Sequence, residues 1–172
     1  MKKINIVQLV CIGGVLTSIT VLFQSAPVFF PTIGLAISPF STLPVAIAAV
    51  VNVFLGLSVF ISSAFILFIV SPQEAIILLF TTGILGITLG SLLYRKGILV
   101  TLLASAASLV LGIILLTYVV AIPSFVEVTG SFSFPFMLLI FSVFSLIYVS
   151  IWYKSLKKLT KLIMRLKLIE KS

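Results

Sequence analysis

The chain has 172 residues, of which 62% are hydrophobic and 8% are charged, with a net charge of +8. A soluble domain of this length has too little interior to hide that much apolar surface, so the composition indicates an integral membrane protein. The sequence contains no His, one Cys and three acidic residues, and it has no P-loop. We therefore expect no catalytic site, no metal, no cofactor and no ATP hydrolysis by the chain itself, and we assign the positive charge to membrane flanks and not to nucleic-acid binding.

The first apolar run, residues 4–23, follows two lysines and predicts a transmembrane helix. The run ends in a bulky residue, whereas cleavage of a signal peptide needs small ones, so we expect the helix to be retained. Gly14 and Ser18 form a small-xxx-small pair on it, the pattern that lets two membrane helices approach closely. Residues 24–32, which begin with Gln24, are predicted to be a short polar loop marked by prolines.

The next stretch, residues 31–52, has no charge and contains three prolines. Proline removes a backbone donor and kinks a helix, and such backbone is tolerated in a membrane only against protein or beside a cavity. The pattern predicts a second helix that is kinked or partly re-entrant, and then a third helix up to residue 70. Two interpretations are open: a polar pocket beside the second helix, or a kinked spanning helix without a ligand.

Ser71 and Glu74 flank a proline at the start of the fourth helix, residues 72–93. Serine suits the N-cap, proline suits the first turn, and Glu74 stands where a capping box needs its acidic residue. A capping role for Glu74 therefore competes with a ligand-binding role. Gly86 and Gly90 form a GxxxG pair, which predicts a packing face.

Two further helices are predicted, at residues 98–122 and 134–153, with an outer loop between them. Small residues recur at every fourth position of the fifth helix and predict a second packing face. Trp152 and Tyr153 end the sixth helix just before a run of lysines, as residues of an interfacial aromatic belt do.

The last segment, residues 154–172, alternates Leu and Ile with Lys and Arg at helical spacing. This predicts a basic amphipathic helix, which either lies on the inner leaflet or extends the sixth helix. The expected fold is all-α and polytopic, with a six-helix transmembrane domain over residues 1–153 and a cytoplasmic tail over residues 154–172. With six spans, all eleven basic residues fall on one side, so we expect a plasma-membrane protein with both termini in the cytoplasm.

Three features carry a resemblance to a known family: the small face of Gly14 and Ser18, the proline-interrupted segment at residues 41–44, and the glycine-bearing helix at residues 72–90. Over residues 6–153 the chain resembles the substrate-binding S components of energy-coupling factor (ECF) vitamin transporters. The resemblance implies that a small molecule is captured from outside, between the outer halves of the helices. It also implies a transmembrane coupling subunit and two ATPase subunits as partners.

On this resemblance, Gly14 and Ser18 are expected to be contacts with the coupling subunit. The expected substrate contacts are polar side chains near the outer ends of the helices, with one tyrosine that suits an interface anchor equally well. These candidates are Gln24, Gln73, Glu74, Tyr118 and Glu127. The pocket side is poor in polar residues, which favours a small, weakly polar or apolar substrate.

A second hypothesis is a non-transporting accessory or assembly protein of the membrane. Such a protein would act through helix packing and its basic tail, and it would need no ligand. The two hypotheses differ in one structural expectation: the S component needs a pocket open to the outside, whereas the accessory protein can be a solid bundle.

Overall fold

The computed structural model describes residues 6–118 and 134–169, and the side chains of residues 6–117 and 135–162. Within these ranges, six helical segments are long and apolar enough to cross a membrane. The chain is therefore an all-α, multi-span membrane protein, as the sequence predicts, and the lipid bilayer is its environment.

The first span is a single helix, α1 (Ile6–Phe29), which is longer than the sequence predicts. The predicted loop at residues 24–32 is wrong, since the helix continues through Pro27. It ends where Phe30 leaves the helical region, with φ −133° and ψ 83°, immediately before Pro31. A residue that precedes proline is disfavoured in helical backbone, and this explains the position of the break.

The second span covers residues Pro31–Val51 and is interrupted near its middle. It consists of α2 (Pro31–Ile37), a 3₁₀ turn (Ser38–Ser41) and α3 (Thr42–Val51). Each of its three prolines lies in the first turn of one of these segments, where the missing N–H disturbs the hydrogen-bond ladder least. The predicted kink is confirmed, and the span is long enough to cross the membrane.

The third span, α4 (Val53–Val70), follows a one-residue connection at Asn52, whose side-chain oxygen accepts a hydrogen bond from the N–H of Phe54 at 2.9 Å. The fourth span is again interrupted: α5 (Pro72–Ile77) leads through a π-helical turn (Leu78–Thr82) into α6 (Gly83–Leu92). The second and fourth spans are thus both irregular near their middles.

The GxxxG pair of the fourth span packs against the second span, which confirms the predicted packing face. A Cβ atom at Gly86 would lie 2.9 Å from the Cβ of Val45, and one at Gly90 would overlap the carbonyl oxygen of Ala46. The absence of side chains at these two positions allows the two interrupted spans to lie against each other.

The fifth span is α7 (Ile98–Tyr118), and the sixth belongs to α8 (Phe134–Ile169), which has 36 residues. Because α8 runs through residue 153 without a break, the basic segment extends the sixth span. Trp152 and Tyr153 are 7% and 8% exposed and pack in the core with Leu89, so the expected aromatic belt at these two residues is wrong. Apolar residues of the second, fourth and fifth spans pack against these two side chains and bury them.

Candidate functional site

Gln24 is fully buried and joins three spans through its side-chain amide. Its Nε2 donates a hydrogen bond to Oε2 of Glu74 at 2.8 Å. Its Oε1 accepts hydrogen bonds from the hydroxyls of Ser41 at 2.7 Å and Thr82 at 3.0 Å. These four residues, Gln24, Ser41, Glu74 and Thr82, are called the Gln24 cluster below.

The cluster lies where the two irregular spans meet the first. Ser41 is the last residue of the 3₁₀ turn and Thr82 is the last residue of the π turn. Irregular backbone at membrane depth is tolerated only where it is covered by protein or lines a cavity, and π turns are frequent at functional sites. Discontinuous helices also form the binding sites of many transporters.

The capping box predicted for Ser71 and Glu74 is only half formed. The Oγ of Ser71 does accept from the N–H of Glu74, at a long 3.5 Å. The return bond of a capping box is absent, because the N–H of Ser71 donates instead to the carbonyl of Leu67 at 2.7 Å. The carboxylate of Glu74 is therefore free of the cap and turns to Gln24.

A cavity of about 370 Å³ lies beside Glu74, between the first, second, fourth, fifth and sixth spans. This volume falls within the range of about 300–1,000 Å³ that is usual for small-molecule sites. Most of the wall is apolar. Its polar and aromatic part is formed by Ser38, Gln73, Glu74, Thr81, Thr82, Phe144 and Tyr148.

The sixth span supplies an aromatic side to this cavity. The rings of Phe144 and Tyr148 are stacked, with centroids 5.8 Å apart and planes 23° apart. Tyr148 makes an edge-on contact with Trp152 at 6.0 Å, and Trp152 makes another with Phe40 of the 3₁₀ turn at 5.5 Å. The row of rings fixes the aromatic side against the irregular second span.

A second concave surface lies outside the bundle, between the first and third spans. It is an open groove of about 640 Å³, lined by Gly13, Gly14, Ser18 and Asn52 among other residues. Apart from the neighbouring backbone of α1 itself, no atom of the described residues lies within 4 Å of a Cβ built at Gly14. Gly14 and Ser18 therefore face outward and are not used for packing within the described part of the chain.

The structure brings three of the predicted substrate contacts together. Gln73 is exposed at the cavity and Glu74 is buried in its wall. Gln24 does not line the cavity, in contrast to the prediction, because it lies behind Glu74. The side chain of Tyr118, and Glu127 as a whole, lie outside the described residues. Whether any of these residues binds a substrate stays a prediction.

The site also contains four residues that the sequence does not indicate: Ser41, Thr82, Phe144 and Tyr148. Ser41 belongs to the proline-interrupted segment, but nothing in the sequence pairs it with Gln24. Within the described residues, no group of three or more His, Cys, Asp or Glu side chains could hold a metal ion.

The sequence matches no protein-family model, and the comparisons with curated proteins and with solved structures found no match. The fold and the site define the class of protein: a six-span polytopic membrane protein with a cavity at the Glu74 end of its bundle.

Proposed function

We propose that this chain is the substrate-capture subunit of an uptake transporter of the ECF type, and that the cavity beside Glu74 holds a small, micronutrient-like molecule. The observation that carries the proposal is this cavity. Five spans surround it, and two of them are irregular where they line it. Irregular membrane helices around a cavity are the usual construction of a transporter site.

The distribution of charge supports an orientation with the cavity toward the outside. Arg95 and Lys96 follow the end of the fourth span, and the hydroxyl of Tyr94 lies 2.6 Å from that of Thr160 on the basic extension of α8. This bond places the two basic segments at one end of the bundle, and Glu74 lies at the other end of the fourth span. The positive-inside rule puts the basic end, and with it both termini, in the cytoplasm of a plasma-membrane protein.

The energy for uptake would come from other subunits, because the sequence contains no P-loop. Gly14 and Ser18 are available for a transmembrane coupling subunit, since they face out of the bundle along an open groove. Two ATPase subunits would act through that coupling subunit. We propose a binding function and not an enzymatic one, as a chain without His and with three acidic residues has few groups for chemistry.

The alternative is a non-transporting accessory or assembly protein. The open groove and the basic extension of α8 would serve that function equally well. The cavity favours capture, because an accessory bundle held together by helix packing has no need of a cavity with a buried carboxylate in its wall.

Affinity purification from the native host in mild detergent tests the proposal. We expect a membrane coupling subunit and P-loop ATPases to be recovered with the chain. Recovery of the chain alone, or with an unrelated membrane protein, would contradict the transporter function and favour the accessory one.

A further inference from the structure

We propose that the ligand of the cavity carries a nitrogen group that donates hydrogen bonds, such as a protonated amine or a cationic heterocycle with an N–H, and that Oε1 of Glu74 accepts them. The inference deepens the proposed function and depends on it for the presence of a ligand. Three features of the cavity support it: the charge of Glu74, the direction of the hydrogen bonds and the aromatic side.

Glu74 is the one acidic residue in the described part of the chain, and it is 8% exposed. Its Oε2 is held by Gln24, whereas its Oε1 has no hydrogen-bond partner among the described residues. The described basic residues near the fourth span, Arg95 and Lys96, follow its far end, about 30 Å away for a helix of that length. A carboxylate inside a membrane is costly unless its oxygens accept hydrogen bonds. A ligand can supply the donor that Oε1 of Glu74 lacks.

The hydroxyls beside Glu74 are already committed as donors. Thr81 donates to the carbonyl of Ile77 at 2.6 Å, and Thr82 donates to Oε1 of Gln24 at 3.0 Å. A hydroxyl that has used its single hydrogen offers only lone pairs to a ligand. The fourth span therefore presents hydrogen-bond acceptors to the cavity at Glu74, Thr81 and Thr82. These acceptors match a ligand that is rich in hydrogen-bond donors.

The Gln24 cluster fixes this polarity. Because Ser41 and Thr82 both donate to Oε1 of Gln24, the amide must turn its Nε2 toward Glu74. Gln24 thus acts as a positioning residue that holds one carboxylate oxygen from behind and leaves the other for the ligand. Ser38, Gln73 and Tyr148 can each donate or accept, so they do not oppose this polarity.

The aromatic side suits the same ligand class. Aromatic faces attract cations, and stacked rings also provide a flat apolar surface for the body of a planar molecule. Phe144 and Tyr148 supply both at the cavity. The expected ligand is therefore a small planar or apolar body with a donor nitrogen.

The test uses the purified full-length chain and two matched sets of probes: tryptamine, tryptophol and indole-3-acetate, and the smaller benzylamine, benzyl alcohol and benzoate. Members of a set share one ring system and differ in the head group. We expect the amine of at least one set to raise Tm and to bind about tenfold or more tightly than the matched alcohol and acid, as a hydrogen bond to a charged group allows.

The Glu74→Gln variant sharpens the test, because its side-chain carbonyl can still accept from Gln24 while its NH₂ faces the cavity. We expect this variant to lose the preference for the amine and to favour the acid. Glu170→Gln makes the same charge change near the end of the chain and is expected to keep the amine preference. An unchanged amine preference in Glu74→Gln would overturn the inference.

The wild-type protein alone also decides the question, should Glu74→Gln not fold. Equal or tighter binding of the alcohol or the acid, or no Tm shift with any of the six probes at millimolar concentration, would overturn the inferred ligand class. Co-purification with ATPases separates this failure from that of the proposed function. If ATPases co-purify but the chain binds the acid probes more tightly, the capture function stands and the amine ligand class is wrong. If the chain prefers the amine probes but no ATPases co-purify, the ligand class stands and the transporter function is wrong.

Discussion

Gln24 and Glu74 are 50 residues apart in the chain, yet Nε2 of Gln24 lies 2.8 Å from Oε2 of Glu74 inside the bundle. The bond joins the first span to the fourth, and the same amide accepts a hydrogen bond from the hydroxyl of Ser41 in the second span. A satisfied polar network in a low-dielectric interior specifies one arrangement of its helices, because every alternative leaves polar groups without partners. Gln24 therefore sets the relation of the three spans that meet at the cavity.

Replacement of Gln24 by alanine is expected to destabilise the bundle by about 2 kcal/mol, because it leaves the Glu74 carboxylate without its donor and two hydroxyls without their acceptor. Single side-chain hydrogen bonds between membrane helices contribute about 0.6 kcal/mol on average, so the loss of three together explains the size of the effect. Unfolding in detergent, followed by circular dichroism, measures it.

Gln73→Ala is the matched control for this prediction. Gln73 is exposed at the same end of the fourth span, so we expect its removal to leave the free energy of unfolding unchanged. Equal losses of stability in the two variants would show that the Gln24 cluster has no special part in holding the spans together.

Gly112 is expected to be intolerant of any side chain, because a Cβ there would overlap the carbonyl oxygen of Phe80 in the π turn. Backbone cannot move aside as a flexible side chain can, so Gly112→Ala should cost about 1–3 kcal/mol. Gly14→Ala has open space around the new methyl group and removes a helix glycine, so it should stabilise by about 0.5–1 kcal/mol. Thermal unfolding of both variants checks this, and equal Tm values would disprove the close contact at the π turn.

The number of spans and the packing face of Gly86 and Gly90 could be predicted from the sequence. Apolar runs of spanning length identify the helices whatever their neighbours are, and a GxxxG pair permits close approach against any partner. The kink of the second span was also predictable, since a proline has the same backbone chemistry in every fold. These features depend on local sequence alone.

The site was less predictable because it depends on contacts between distant residues. Proline at residue 27 indicated a loop, but the helix accommodates it in its last turns and so carries Gln24 into the interior. The spacing of Ser71 and Glu74 fits a capping box equally well whether the carboxylate turns back or turns to Gln24. Trp152 stands at the end of an apolar run, and nothing in that run shows that its ring packs against Phe40 of the second span and is buried.

The proposed orientation predicts which end of the bundle is reached from outside the cell. In a Cys11→Ser background, a membrane-impermeant maleimide should label Gln73→Cys in intact cells and Lys96→Cys only after permeabilisation. Gln73 and Lys96 are both exposed and lie at opposite ends of the fourth span, so the pair reports orientation directly. Labelling of Lys96→Cys in intact cells would reverse the topology and place the cavity toward the cytoplasm.

The outward face of Gly14 and Ser18 should be needed for partner binding and not for folding. The double variant Gly14→Leu with Ser18→Leu fills the groove between the first and third spans. Among the described residues, no neighbouring span lies within 4 Å of a Cβ at Gly14, so the groove has room for the new side chain there. We expect an unchanged Tm for the isolated chain and loss of the coupling subunit and ATPases in affinity purification, read by quantitative mass spectrometry.

Cys11→Leu with Val15→Leu is the matched control, since these residues are also exposed on α1, are also four positions apart, and do not line the groove. This pair places the same two leucine side chains on the exposed surface of α1 away from the groove, so it should retain the partners. Loss of partners in both double variants would assign the effect to the lipid-facing surface of α1 in general. Retention in both would remove Gly14 and Ser18 from the docking surface, and the basic extension of α8 would become the next contact to test.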